Sequence, residues 1–166
     1  MDQCAECGFR YDLSTAAQAG NHIRGDVAAL ARLLTNTDRQ ALIERTISDR
    51  WSALEYGCHV RDVMLVQRER VLLARRAETP SVEPMGREER VTHDAYREQD
   101  PIDVADELTM AARLLTNVFD RLTSEDWELR LVYNWPDASE RTLRWVAVHT
   151  LHDVHHHLLD VQRQLY

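Results

Sequence analysis

A chain of 166 residues is long enough for one domain with a sizeable core and short of what two independent cores usually need. Its 44 % hydrophobic and 29 % charged content excludes a disordered chain, and no aliphatic stretch exceeds a few residues (Val63-Met64-Leu65-Val66), which excludes a helical membrane span. All 20 basic residues are arginine, so lysine Schiff-base and Walker-type phosphate chemistry are excluded, and the net charge of −8 argues against nucleic acid or an anionic membrane as partner.

Residues 1–12 read as a separate small element carrying Cys4 and Cys7. Ser14 caps a first helix to about Leu34, with Ile23, Val27, Leu30 and Leu34 on one face; Gly20 and Gly25 weaken its first half. A short helix over Gln40–Ile47 follows within a polar stretch. Ser52 and Glu55 form a capping box that opens a second long helix to about Glu78. Residues 79–100, with Pro80, Pro84 and Gly86, read as a long loop of the kind that serves as a lid. Pro101 starts a third helix, to about Leu122, on an unbroken stripe of Val104, Leu108, Ala111, Leu115, Val118 and Leu122. A connector holding Trp127, Tyr133 and Trp135 precedes a last helix from about Ser139 to Leu165. The expected fold is all-α: a four-helix bundle over residues 13–166, with a long crossover loop and a short N-terminal CxxC element over residues 1–12.

Five of the eight histidines lie between positions 149 and 157. On a helix, His152 and His156 project side by side one turn apart, a spacing that lets two imidazoles share a metal. His149 lies on the same stripe; His155, His157 and Asp153 read as facing solvent or supporting the ligands. His59, on a stripe with Tyr56, Val63 and Val66, is the candidate third ligand, against the alternative of an ordinary core histidine. The last helix also carries an aliphatic stripe of Ala147, Leu151, Val154, Leu158, Val161 and Leu165, about 160° from the histidines on a 100° wheel. Either that stripe fills the bundle and the histidines face water, or the histidines face a cavity and the stripe meets another subunit.

Cys4-Ala5-Glu6-Cys7-Gly8 has the turn pattern of half a zinc ribbon, but no second CxxC exists. The two thiols could bind a second metal with help from His22 or another chain, act as a redox dithiol, or sit in a mobile tail. Cys58 reads as a packed apolar residue. Three cysteines with no apolar leader after Met1 fit a reducing, cytoplasmic location.

The histidine on the second helix, the long crossover and the HxxxH in a histidine-rich last helix together resemble the DinB-like superfamily. That superfamily comprises four-helix-bundle metalloenzymes and includes thiol-dependent S-transferases and mycothiol-dependent maleylpyruvate isomerases. The resemblance spans about Leu13–Leu165 and is strongest at Trp51–Asp62 and Arg141–Asp160. It implies metal ligation by His59, His152 and His156, an inward-facing histidine stripe, zinc or nickel as the metal, and a homodimer. Three neutral ligands would leave the ion's charge and a coordination position open, activating water or a low-molecular-weight thiol. The expected function is therefore a metal-dependent transferase or hydrolase acting on a small molecule, with His149 as the catalytic proton shuttle and Tyr56, Tyr133 and Trp145 lining the substrate pocket. Arg61 and Arg141 are alternatives for binding a substrate carboxylate, though structural salt bridges account for them better. The competing readings are a metal- or redox-responsive binding protein and a non-catalytic dimeric scaffold.

Overall fold

The computed structural model describes residues 3–134 and 137–166. Four long helices form the bundle: α1 (Ala19–Asn36), α3 (Ala53–Ala74), α5 (Pro101–Phe119) and α6 (Leu143–Leu165), with a short α2 (Arg39–Ile43) and α4 (Arg87–His93) between them. α5 packs on α1 and α3, and α6 packs on the same two, so the order around the bundle is α1-α5-α3-α6. The helices consecutive along the chain, α1 and α3, are thus diagonal.

Local chemistry explains the boundaries. Asp12, not Ser14, caps the first turn: its carboxylate accepts from the Ser14 amide at 2.9 Å, and a 3-10 helix (Leu13–Gln18) leads into α1. The Ser52/Glu55 capping box forms as expected, and Glu55 additionally holds Arg45 through two hydrogen bonds at 2.6 and 2.8 Å. Asp100 caps α5, whose first residue is Pro101. The first eight residues of α3 are buried on every face, because α2, α5, α6 and the following crossover all close around them.

The crossover is ordered rather than open. It holds β1 (Ser81–Val82), α4 and a 3-10 turn at Tyr96–Glu98. Residues expected to begin the last helix instead form β3 (Ala138–Thr142), which pairs antiparallel with β2 (Arg130–Asn134); β1 adds to β2 in parallel. Leu131 and Tyr133 alternate inward along β2, which is the period of a half-buried strand. This small sheet sits beside the bundle and carries Tyr133 to its interior. Trp135 lies outside the described residues.

The question of which face of α6 points inward resolves without a second subunit. Ala147, Leu151, Val154, Leu158 and Val161 are buried within the same chain. The opposite face is covered by the N-terminal element, where a bridge between Gln3 and Arg10 closes a tight hairpin. Among the described residues no helix is long and apolar enough to cross a membrane.

Candidate active site

The polar side of α6 divides into two adjacent stripes with different neighbours. One stripe, His149, Asp153 and His157, lines a cavity of about 300 Å³ together with His59, Gln67 and Arg70 of α3 and Tyr133 of β2. Met85, Gly86 and Arg87 of the crossover form its outer wall. The other stripe, His152 and His156, faces the N-terminal cysteines.

His59 is 5 % exposed, and its Nδ1 is buried with no hydrogen-bond partner. Burial, and secondarily the neighbouring His157, pushes its pKa down to about 3, so the ring is neutral and its lone pair available at ordinary pH. Its ring meets that of His157 edge to face at 5.0 Å. The His157 Nδ1 is turned to Asp160 Oδ2 at 3.1 Å, and Tyr56 stacks on the imidazole at 5.1 Å. This leaves the His157 Nε2 directed away from its supporting carboxylate. A ring held by an outer carboxylate through one nitrogen is the usual arrangement of a metal-ligating histidine. Buried His149 stacks on Trp145 at 4.4 Å, hydrogen-bonds through Nδ1 with the Tyr11 hydroxyl (2.9 Å), and places Nε2 3.7 Å from Asp153.

Arg70 supplies positive charge to the same cavity. It is 8 % exposed and donates to the Tyr133 hydroxyl at 2.8 Å and to the Glu83 carbonyl. Gln67 donates to the same hydroxyl at 2.9 Å. Among the described residues Arg70 pairs with no carboxylate.

A second cluster joins Cys4, Cys7, His152 and His156, with one potential ligand atom from each lying within 4.8 Å of all the others. Burial of His152 lowers its pKa to about 4. Tyr11 connects the two stripes, because its hydroxyl also meets His152 Nδ1 at 2.8 Å. Burial, then Asp153, pushes the Tyr11 phenol well above its usual range, so it stays protonated.

The cavity and the cysteine cluster divide the expected ligands between them: His59 lines the first, and His152 and His156 join the second. Among the described residues no compact group of potential ligand atoms includes His59, either with His152 and His156 or with Asp153 and His157. The residues that share a cavity with His59 are Asp153 and His157, each one position further along α6, which at 100° per residue is a different face. Asp153 and His157, expected to face solvent or merely support other ligands, are cavity residues. His149 is placed in the cavity wall. Of the expected pocket residues, Tyr133 lines the cavity, whereas Tyr56 backs His157 and Trp145 backs His149. His22 is exposed on α1 and does not join the cysteines. Arg61 bonds Asp62 and Glu107, and Arg141 lies over the Trp145 ring at 4.8 Å. Cys58 is buried, and burial pushes its thiol up to about 12, which makes it inert.

The sequence does not single out Tyr11, Gln67 or Arg70, and it gives only supporting or solvent-facing roles to Asp153 and His157, which line the cavity. For the last two a signal existed: Asp153 and His157 have the same i, i+4 spacing as His152 and His156.

The sequence profile described as the DinB superfamily matches residues 22–161. Among solved structures, YfiT from Bacillus subtilis superposes with a TM-score of 0.79 at 16 % identity, over 92 % of this chain and 88 % of that one. That protein is described as a probable metal-dependent hydrolase with an unusual four-helix bundle topology; at this identity the likeness establishes the fold. No curated protein matches the chain in sequence.

Proposed function

The chain belongs to the DinB superfamily, and from that premise we propose that it is a metal-dependent hydrolase or transferase acting on a small molecule that carries an anionic group. The observation that carries the reading is the buried, neutral His59, with an unpartnered ring nitrogen, in one cavity with Asp153 and His157. These three residues would hold a divalent metal. Two imidazoles and a carboxylate suit zinc, nickel and iron(II). When bound there, the ion supplies Lewis acidity, which polarises a substrate oxygen and lowers the pKa of water or a thiol.

The remaining roles fall to the chain itself. Asp160 fixes the His157 ring, and Tyr56 packs on its face, so that ligand needs little reorganisation. His149 stands 3.7 Å from Asp153, where it orients that carboxylate and moves a proton at Nε2. Arg70, held by Tyr133 and Glu83, binds the substrate's anionic group; its burial without a carboxylate partner leaves its charge for a ligand. The crossover wall at Met85–Arg87 limits entry of solvent. Both acceptors, water and a low-molecular-weight thiol, fall within this reading.

The test is turnover of carboxylate-bearing esters and amides by metal-loaded protein, with water or small thiols as acceptor. Metal removal and His59→Ala should each abolish turnover. With metal in excess, His149→Ala should lower it by about 10²–10⁴-fold, the usual contribution of a positioned proton-transfer group. Arg70→Met should raise KM for anionic substrates more than for neutral analogues. Equal activity with and without metal would overturn the proposal.

A further inference from the structure

We infer that Cys4, Cys7, His152 and His156 form a second metal site, a closed tetrahedral zinc site that clasps the N-terminal element to α6. Three observations converge on it. The four ligand atoms lie within 4.8 Å of one another, and Cys4 Sγ is 3.7 Å from His156 Nδ1. Sulfur and nitrogen ligands at about 2.3 and 2.0 Å from a tetrahedral zinc stand about 3.6 Å apart.

The cysteine loop is a closed turn. Gly8 has φ +74°, a conformation that favours glycine, and its amide donates to the Cys4 carbonyl at 2.9 Å. The Cys4 amide in turn donates to the Phe9 carbonyl at 2.8 Å, so the turn holds Cys4 and Cys7 in one compact group with the two histidines.

Both histidines are oriented as ligands. His152 uses Nδ1 on the Tyr11 hydroxyl and leaves Nε2 buried without a partner. His156 turns Nε2 to Asp160 and Glu6, at 3.4 and 3.3 Å, and presents Nδ1 to Cys4. Each ring thus has an outer support on one nitrogen and the cluster on the other. A redox dithiol would account for Cys4 and Cys7 but gives the histidines no role.

Two thiolates and two neutral imidazoles cancel the charge of Zn²⁺ and fill its tetrahedron, so this site holds structure rather than substrate. It also reaches the cavity. With the ion on His152 Nε2, the proton of that ring sits on Nδ1 and is donated to Tyr11; the Tyr11 hydroxyl then donates to His149 Nδ1. A His149 ring that carries a single proton then holds it on Nε2, facing Asp153.

Cobalt(II) substitution of the untagged, full-length protein tests the inference. The wild type should show thiolate-to-cobalt charge-transfer absorption in the near ultraviolet together with the strong d–d bands of a tetrahedral ion, at one equivalent of thiolate-bound metal per chain. Zinc should displace the cobalt. Cys4→Ser/Cys7→Ser should lose the charge-transfer bands, whereas His59→Ala should keep them even if the cavity metal is lost. His156→Cys should raise the charge-transfer intensity by about half, a gain that a misfolded chain would not give. Absence of charge transfer in the wild type, its loss in His59→Ala, or recovery of a metal-free Cys4–Cys7 disulfide would overturn the site. The cavity metal can fail independently of each of these outcomes.

Discussion

Asp62 is the residue through which α3 holds the crossover that walls the cavity. One carboxylate oxygen accepts from the Tyr96 hydroxyl at 2.7 Å and from Arg90 at 3.0 Å, and the other accepts from Arg61 at 2.8 Å. The Asp62→Ala substitution strands the Arg61 guanidinium, 11 % exposed, beside an empty site. Deleting one partner of a buried ion pair costs about 3–5 kcal/mol. Glu107, 2.5 Å from Arg61 and half exposed, retains part of the compensation, which favours the lower end, about 3 kcal/mol. The fully buried Tyr96 hydroxyl loses its acceptor, adding about 1 kcal/mol. With a urea m-value of about 2 kcal/mol/M, a total of about 4 kcal/mol lowers the unfolding midpoint by about 2 M. Urea titration followed by circular dichroism measures this directly. A shift under about 0.5 M would refute the claim that this carboxylate anchors the crossover.

The same carboxylate gives that prediction a pH signature. Burial pushes the Asp62 pKa up, but the Tyr96 hydrogen bond, Arg61 and Arg90 outweigh it and hold it below the usual carboxylate range. A depressed folded-state pKa contributes stability that is present above the unfolded value, about 3.9, and is lost as pH falls through the folded value. The stability gap between wild type and Asp62→Ala should be constant from neutral pH down to about 5 and shrink in stronger acid.

Other substitutions probe separate links. Ser52→Ala removes the fully buried cap of α3 and should cost about 1 kcal/mol in the same titration. Gly57→Ala places a Cβ 2.8 Å from Leu34 Cδ1; Leu34 is itself buried, so crowding of about 1–3 kcal/mol exceeds the helix-propensity gain and the midpoint falls. Tyr11→Phe removes the support of His152 Nδ1 and should weaken zinc at the cysteine site by about 10–100-fold in a chelator competition, without abolishing the thiolate spectrum.

Much of this architecture is legible in the sequence because its signals are local. The Ser52/Glu55 box, Pro101 and the stripe from Val104 to Val118 mark α3 and α5 through capping chemistry and helical period alone. The β2–β3 hairpin is harder, since Ser139–Thr142 serves equally as a strand and as a helix approach, and only pairing with residues 130–134 decides between them. The ligands proposed for the cavity are hard to choose from sequence for a related reason. With imidazoles at 149, 152, 155, 156 and 157 and a carboxylate at 153, α6 offers three i, i+4 ligand pairs: His149/Asp153, His152/His156 and Asp153/His157. The choice is made by what the fold puts opposite each stripe: α3 and β2 face Asp153 and His157, and a hairpin some 150 residues away in sequence faces His152 and His156. No local pattern encodes that return.

The proposed division of α6 into two ligand stripes has a direct test. Metal content of the Cys4→Ser/Cys7→Ser protein, with and without one further histidine substitution, tests it most directly. About one equivalent of metal should remain in that background, disappear with His157→Ala, and persist with His156→Ala. Loss with His156→Ala and retention with His157→Ala would contradict the assignment of the cavity to His59, Asp153 and His157.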